Sequence, residues 1–243
     1  MITLGIIGVV AALTLPALIS NYQKHVYVNQ LKKSVSVLSQ GFTTMMGHDG
    51  VTELKDTYAF SGMGGSYERH GRTITERDCT SSTMTTERCK SFRDALYNTF
   101  ANIEISKKWV NYKYKYLNYG QEETTNLPSV IQFADGSFIF SYRFYNYKSG
   151  YNTGYVGSFT LDTNGLKGPN QYGRDIFILY LSNNGSILAE GSLVAATDVH
   201  NNGNAGSKYY WKNNDASYNC STTSTSVGYG CAARIFEEDA MNY

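Results

Sequence analysis

Met1 to Ile19 reads MITLGIIGVVAALTLPALI, a run without a charge in which Thr3 and Thr14 are the only polar side chains. As a helix it would be about 28 Å long at about 1.5 Å per residue, close to the hydrocarbon thickness of a bilayer, so it reads as a membrane span. Gly5 and Gly8, with Ala11 and Ala12, would let a neighbouring helix approach closely, and Pro16 would remove one backbone bond and kink or loosen the helix. Gly5, Gly8 and Pro16 are therefore the candidate positions for helix packing and assembly. A cleaved signal peptide is the competing reading, because Leu15-Pro16-Ala17 resembles a small-residue cleavage region, but a signal peptide wants a basic stretch ahead of its apolar core.

Working outward, Val28, Leu31, Val35, Leu38 and Phe42 recur at steps of three and four through a segment otherwise rich in Lys, Gln, Asn and Ser. That spacing predicts one apolar stripe on a helix. The two stretches together predict a single helix of about 40 residues, apolar in its first half and amphipathic in its second. Such a helix could enter a bilayer and also dock under a globular head. The expected division is residues 1–45 as a transmembrane and assembly helix and 46–243 as an exported head.

Ile2-Thr-Leu-Gly-Ile-Ile-Gly-Val-Val-Ala-Ala-Leu-Thr-Leu-Pro16, with its apolar order, small residues and proline, resembles the N-terminal helix of type IV prepilins and type II secretion pseudopilins. The resemblance covers roughly the first 45 residues. It implies a structural subunit, a pseudopilin or minor pilin, held in the bacterial inner membrane by its helix, with the head outside the cytoplasm, periplasmic or in a surface filament. Its partners would be other pilin or pseudopilin subunits. In that family a short basic leader ends in Gly, cleavage precedes an N-methylated Phe, and a Glu that guides subunit registration follows. Those elements are not in this sequence, so Met1 is expected to match an internal residue of the family helix, and prepilin peptidase is a partner only for a chain that carries them. Lys24, Lys32 and Lys33 alone would place the C-terminal side in the cytoplasm, a bias that a basic leader would reverse.

Bulk composition agrees with a folded, exported head. Apolar residues make up 42% of the 243, enough to bury a core, while 21 basic against 20 acidic residues leave no global field to draw in nucleic acid or anionic lipid. Gly, Tyr, Asn, Ser and Thr are abundant, as in exported β-rich surfaces. The cysteines fall in two close pairs, Cys79 with Cys89 and Cys220 with Cys231, without the His or Cys-x-x-Cys neighbours of a zinc site. Three pairings are possible; the short separations favour two local loops, each worth on the order of 2–3 kcal/mol, in an oxidising compartment. Buried free thiols in a reducing cytosol are the alternative.

In the head, Gly47 to Thr86 reads as a long connection closed by the first cysteine loop, and Ser91 to Ile105 as helix-compatible, with Phe92, Leu96 and Phe100 at four-residue spacing. Lysine and tyrosine alternate from Lys107 to Tyr119. An edge strand guarded by Lys113 and Lys115 is expected, with single-stranded DNA binding by a minor pilin as the alternative. Hairpins are expected over Ser129–Phe144 about Asp135-Gly136 and over Asp175–Leu188 about Asn183-Asn184-Gly185, with another strand from Gly154 to Leu161. The fold class expected is α+β, a long helix packed on a mainly antiparallel sheet.

Asp162-Thr-Asn-Gly-Leu-Lys-Gly-Pro-Asn-Gln-Tyr-Gly-Arg-Asp175 is the most distinctive stretch of the head and resembles a motif of pilin-like bacterial proteins that carry such a helix. Asp162, Asn164, Asn170 and Asp175 offer oxygen ligands around glycine turns, which makes them a calcium candidate; an Asx-turn connection without metal is the other reading. No other cofactor is expected. The loop closed by Cys220 and Cys231 resembles the disulfide-bounded C-terminal region of type IV pilins, which forms subunit contacts or an adhesive face; the alternative is a simple staple. The sequence carries no nucleophile elbow, phosphate loop or dinucleotide fingerprint, and its nearest approach to a catalytic set is Asp198 with His200, so no enzyme is expected.

Overall fold

Apolar side chains repeating every three or four residues turn one face of a helix toward whatever else the chain can build, and in the computed structural model of the protein that helix is α1 (Ile2–Asp49). Described are residues 2–61, 63, 66–69, 72–75, 78–146, 154–192, 194–195, 209–213, 215–223 and 225–243, with side chains left aside at 2–10, 66–69 and 72–75. Val28, Leu31, Leu38 and Phe42 are buried and Val35 half-buried, joined on the same face by Met45 and Met46. α1 is continuous through Pro16, where one bond is lost and the flanking turns keep their own. It stops at Gly50, whose φ of 67° suits a residue without a Cβ, and Val51 N closes the last turn by donating to Met46 O at 3.0 Å.

The chain beyond α1 builds a seven-stranded antiparallel sheet from β3 (Cys79–Thr80), β4 (Glu104–Ile105), β7 (Ile131–Gln132), β8 (Phe138–Phe144), β9 (Tyr155–Asp162), β10 (Ile176–Ser182) and β11 (Ile187–Ala189). Its order is β11-β10-β9-β8-β7-β4, with β3 paired to β8. A separate hairpin pairs β1 (Ser66–Arg69) with β2 (Arg72–Thr75), and another pairs β5 (Val110–Tyr114) with β6 (Glu123–Leu127). The protein is thus α+β, a long N-terminal helix with a mainly antiparallel sheet.

β8 and β10 are apolar on both faces because the sheet is covered on both. Ile139, Tyr142, Phe144, Phe159, Leu161, Phe177, Leu179 and Leu181 share a core with α1, whereas Phe138, Phe140 and Ile176 meet Tyr112, Leu127 and Val130 from around the β5–β6 hairpin. A bulge between Phe140 and Arg143, with Ser141 at φ 48°, shifts the alternation so that Ile139 and Tyr142 point the same way. The two expected hairpins are present as β7–β8 and β10–β11, turning at Gly136 and Gly185, each with positive φ.

Three expectations need adjusting. The helix foreseen over Ser91–Ile105 is α3 (Lys90–Thr99), and it stops short because Phe100 turns extended to set its ring edge-on to Phe42, 6.0 Å between centroids, ahead of β4. The connection foreseen over Gly47–Thr86 contains the short helix α2 (Tyr58–Ser61), the β1–β2 hairpin and β3. The lysine–tyrosine strand is only five residues long and belongs to its own hairpin rather than to the main sheet.

Both cysteine pairs stand at bonding distance, Cys79 with Cys89 and Cys220 with Cys231, with Cα separations of 5.6 and 5.0 Å. The second opens α4 (Cys231–Glu238), whose buried Ala232, Ala233 and Ile235 return to the core beneath α1.

Candidate functional site

The 162–175 segment begins where β9 ends and finishes where β10 starts, so the sheet itself sets its two carboxylates, and both are fully buried. Asp162 Oδ1 accepts from the amides of Asn164 (3.0 Å) and Gly165 (2.7 Å), and Oδ2 accepts from the Tyr112 hydroxyl at 2.5 Å. Asp175 Oδ2 accepts from Asn170 N at 2.9 Å and Oδ1 from Gln171 N at 2.7 Å. The first is an Asx turn, in which a short side chain takes the place of a backbone carbonyl, whereas Asp175 reaches back to amides four and five residues before it and closes the loop from its far end. Between them the segment grips the end of β5 by its main chain. Asn170 Nδ2 donates to Lys113 O, Lys115 N to Asn170 O, Tyr172 N to Lys115 O, and Gln171 Nε2 to Tyr116 O and Leu117 O.

Burial raises the Asp162 pKa to about 7, with the nearby Asp175 charge adding to the rise and the Tyr112, Asn164 and Gly165 donors opposing it. Asp175 is raised too, by burial, against the pull of the Gln171 and Asn170 amides. Tyr112 is pushed up by burial and then by the Asp162 charge.

The four residues offered for calcium do converge on one turn, and Asn164 Oδ1 and Asn170 Oδ1 are buried with no hydrogen-bond partner among the described residues. The carboxylates that would carry the charge are differently placed. Each oxygen faces an N–H or O–H donor whose positive end a cation would meet, so the donor set fits a loop held by carboxylate-to-amide hydrogen bonds better than a calcium cage of six to eight oxygens. Among the described residues no group of three or more His, Cys, Asp or Glu is placed to hold a metal ion.

On β5 the alternation sends Tyr112 inward and Lys113 outward, where its Nζ lies 3.3 Å from Glu122. Tyr114 and Tyr116 are half-buried against Tyr172, while Lys115 is exposed. The lysines and the ring faces therefore lie on opposite sides, an arrangement that separates the charge and stacking a single nucleic-acid strand needs together. His25 is exposed, and His48 is exposed beside Asp49. His70, Asp198 and His200 lie outside the described residues.

The other candidate surface is the bare stretch of α1. Residues 12–23 are exposed throughout, among them Leu13 (75%), Leu15 (50%), Leu18 (67%), Ile19 (52%) and Tyr22 (69%). Among the described residues no helix is long and apolar enough to cross a membrane; of the span read from the sequence, the side chains at 2–10, Gly5 and Gly8 with them, are not among those described.

Comparison with family models, curated proteins and solved structures found no match to this chain.

Sequence reading did not find Tyr112 as the partner of Asp162, nor Gln171 as the residue that holds Tyr116 and Leu117, because neither has a local signal. Tyr112 stood out only as one of several alternating tyrosines.

Proposed function

We propose that the protein is a structural subunit of a type IV pilus or type II secretion-like filament, a pseudopilin or minor pilin. Its N-terminal helix, apolar first and amphipathic after, would anchor it in the inner membrane with the head outside the cytoplasm. The observation that carries this reading is the division of α1, whose later turns are buried under the sheet while Leu13, Leu15, Leu18, Ile19 and Tyr22 stand bare. A large contiguous apolar surface on a helix calls for lipid or for another helix. Two disulfides in a tyrosine- and glycine-rich head suit an oxidising compartment.

The test is partition of the full chain into phospholipid vesicles, together with cross-linking between copies through a cysteine placed at Leu13. The chain is expected to float with the vesicles and to cross-link there. Gly8→Asp should abolish both while leaving the near-ultraviolet circular dichroism of the head unchanged. A wild-type chain that neither floats nor cross-links would sink the proposal.

A further inference from the structure

At Lys24, where α1 passes from exposed to half-buried, the partner is a segment from the far end of the chain. Lys24 Nζ donates to the backbone oxygen of Tyr243 at 2.7 Å, and two turns later Lys32 pairs with Asp239. Tyr243 carries this contact inward. Its ring packs against both the core under α1 and the small cluster of Leu117, Cys220 and Cys231, and its hydroxyl donates to Gly173 O.

Arg234, one turn into α4, ties the same segment to the disulfide. Its Nη1 donates to Cys220 O at 2.5 Å and its Nη2 to Asn242 O at 3.2 Å, and the guanidinium lies 5.3 Å from the centre of the Tyr243 ring. Gly173, at φ 81°, lies so close behind that a Cβ there would come within 2.8 Å of Cys231 Sγ. Disulfide, α4, residues 239–243 and the 170–175 turn thus form one packed unit against the point where α1 leaves the head.

We propose that the Cys220–Cys231 disulfide closes a latch that fixes how α1 leaves the head: the bond sets α4, α4 sets residues 239–243, and those residues hold Lys24 and Lys32. The bond forms when the two thiols pass two electrons, with loss of two protons, to a disulfide-bearing oxidant that becomes a dithiol. The latch therefore closes only where such an oxidant is present, and α1 takes its final direction on that side. Cys79–Cys89 joins β3 to the turn before α3, whereas Cys220–Cys231 bonds directly to the first residue of α4. The latch belongs to a single copy of the chain, so it stands or falls separately from the filament reading.

Amide hydrogen exchange of the full chain in detergent micelles, followed over residues 24–33 of α1, tests it. Cys220→Ser with Cys231→Ser is expected to speed exchange there about tenfold, the change that loss of one half-buried, charge-assisted contact produces. Cys79→Ser with Cys89→Ser should leave that stretch at the wild-type rate. Tyr243→Ala, with both disulfides intact, removes the link between disulfide and helix and should give the same acceleration even if the Cys220→Ser, Cys231→Ser chain fails to fold. Unchanged exchange at 24–33 in the Tyr243→Ala chain, or in a folded Cys220→Ser, Cys231→Ser chain, overturns the latch. Equal acceleration in the Cys79→Ser, Cys89→Ser chain overturns it as well.

Discussion

Asp162 and Asp175 share one turn, both without access to water, and the groups facing them are the Tyr112 hydroxyl, backbone amides and the Asn164 side chain. An ordinary aspartate in the unfolded chain titrates near 3.9. With the folded value of Asp162 raised to about 7, the native state binds the extra proton between those limits, so stability is greatest at and below the lower one and falls as pH rises through about 7. Asp175 is raised as well and adds with the same sign. We expect the urea midpoint to drop between pH 5 and about 8 in the wild type, and Asp162→Asn to flatten much of that slope, since an amide keeps the Asx turn without the charge. A midpoint that rises over this range would contradict the assignment. Gly41 makes a second residue-level prediction. A Cβ there would run into the Phe100 ring, so Gly41→Ala should cost about 1–3 kcal/mol, read as a lower urea midpoint with unchanged slope.

Within α1, the same residue type has opposite weight in the two parts of the element. Leu31 is fully buried, so Leu31→Ala should cost about 2–5 kcal/mol, whereas Leu18→Ala, on the bare stretch, should fall within about 0.5 kcal/mol in detergent. Equal effects at the two positions in chemical unfolding would mean that the bare stretch is packed in the isolated chain. Elements also differ in how far they could be read beforehand. The stripe from Val28 to Phe42 and the turns at Asp135-Gly136 and Asn184-Gly185 are local patterns, and they led to α1, β7–β8 and β10–β11. α3 was overextended because periodicity at Phe92, Leu96 and Phe100 cannot tell a helical Phe100 from one that leaves the helix to meet Phe42. The two-sided covering of β8 and β10 was likewise out of reach, since an apolar run does not say what lies on either face.

For the whole molecule, exposure of residues 12–23 means that the head does not depend on them. A chain with Leu13, Leu15, Leu18 and Ile19 all changed to Ser should therefore melt within a few degrees of the wild type in detergent while binding vesicles more weakly. A large drop in melting temperature would place the bare stretch in the core. What the sequence by itself determined is what neighbours in the chain decide: a long N-terminal helix, two cysteine loops of about ten residues, and two glycine-turned hairpins, all set by contacts whose closure entropy is small. The meeting of Tyr112 with Asp162, 50 residues on, and of Lys24 with Tyr243, 219 residues on, was decided only by the tertiary structure. Partners so far apart in the chain are brought together by the stacking of sheet, hairpin and helix, and the burial that raises the pKa values of Asp162 and Asp175 exists only once those layers have closed.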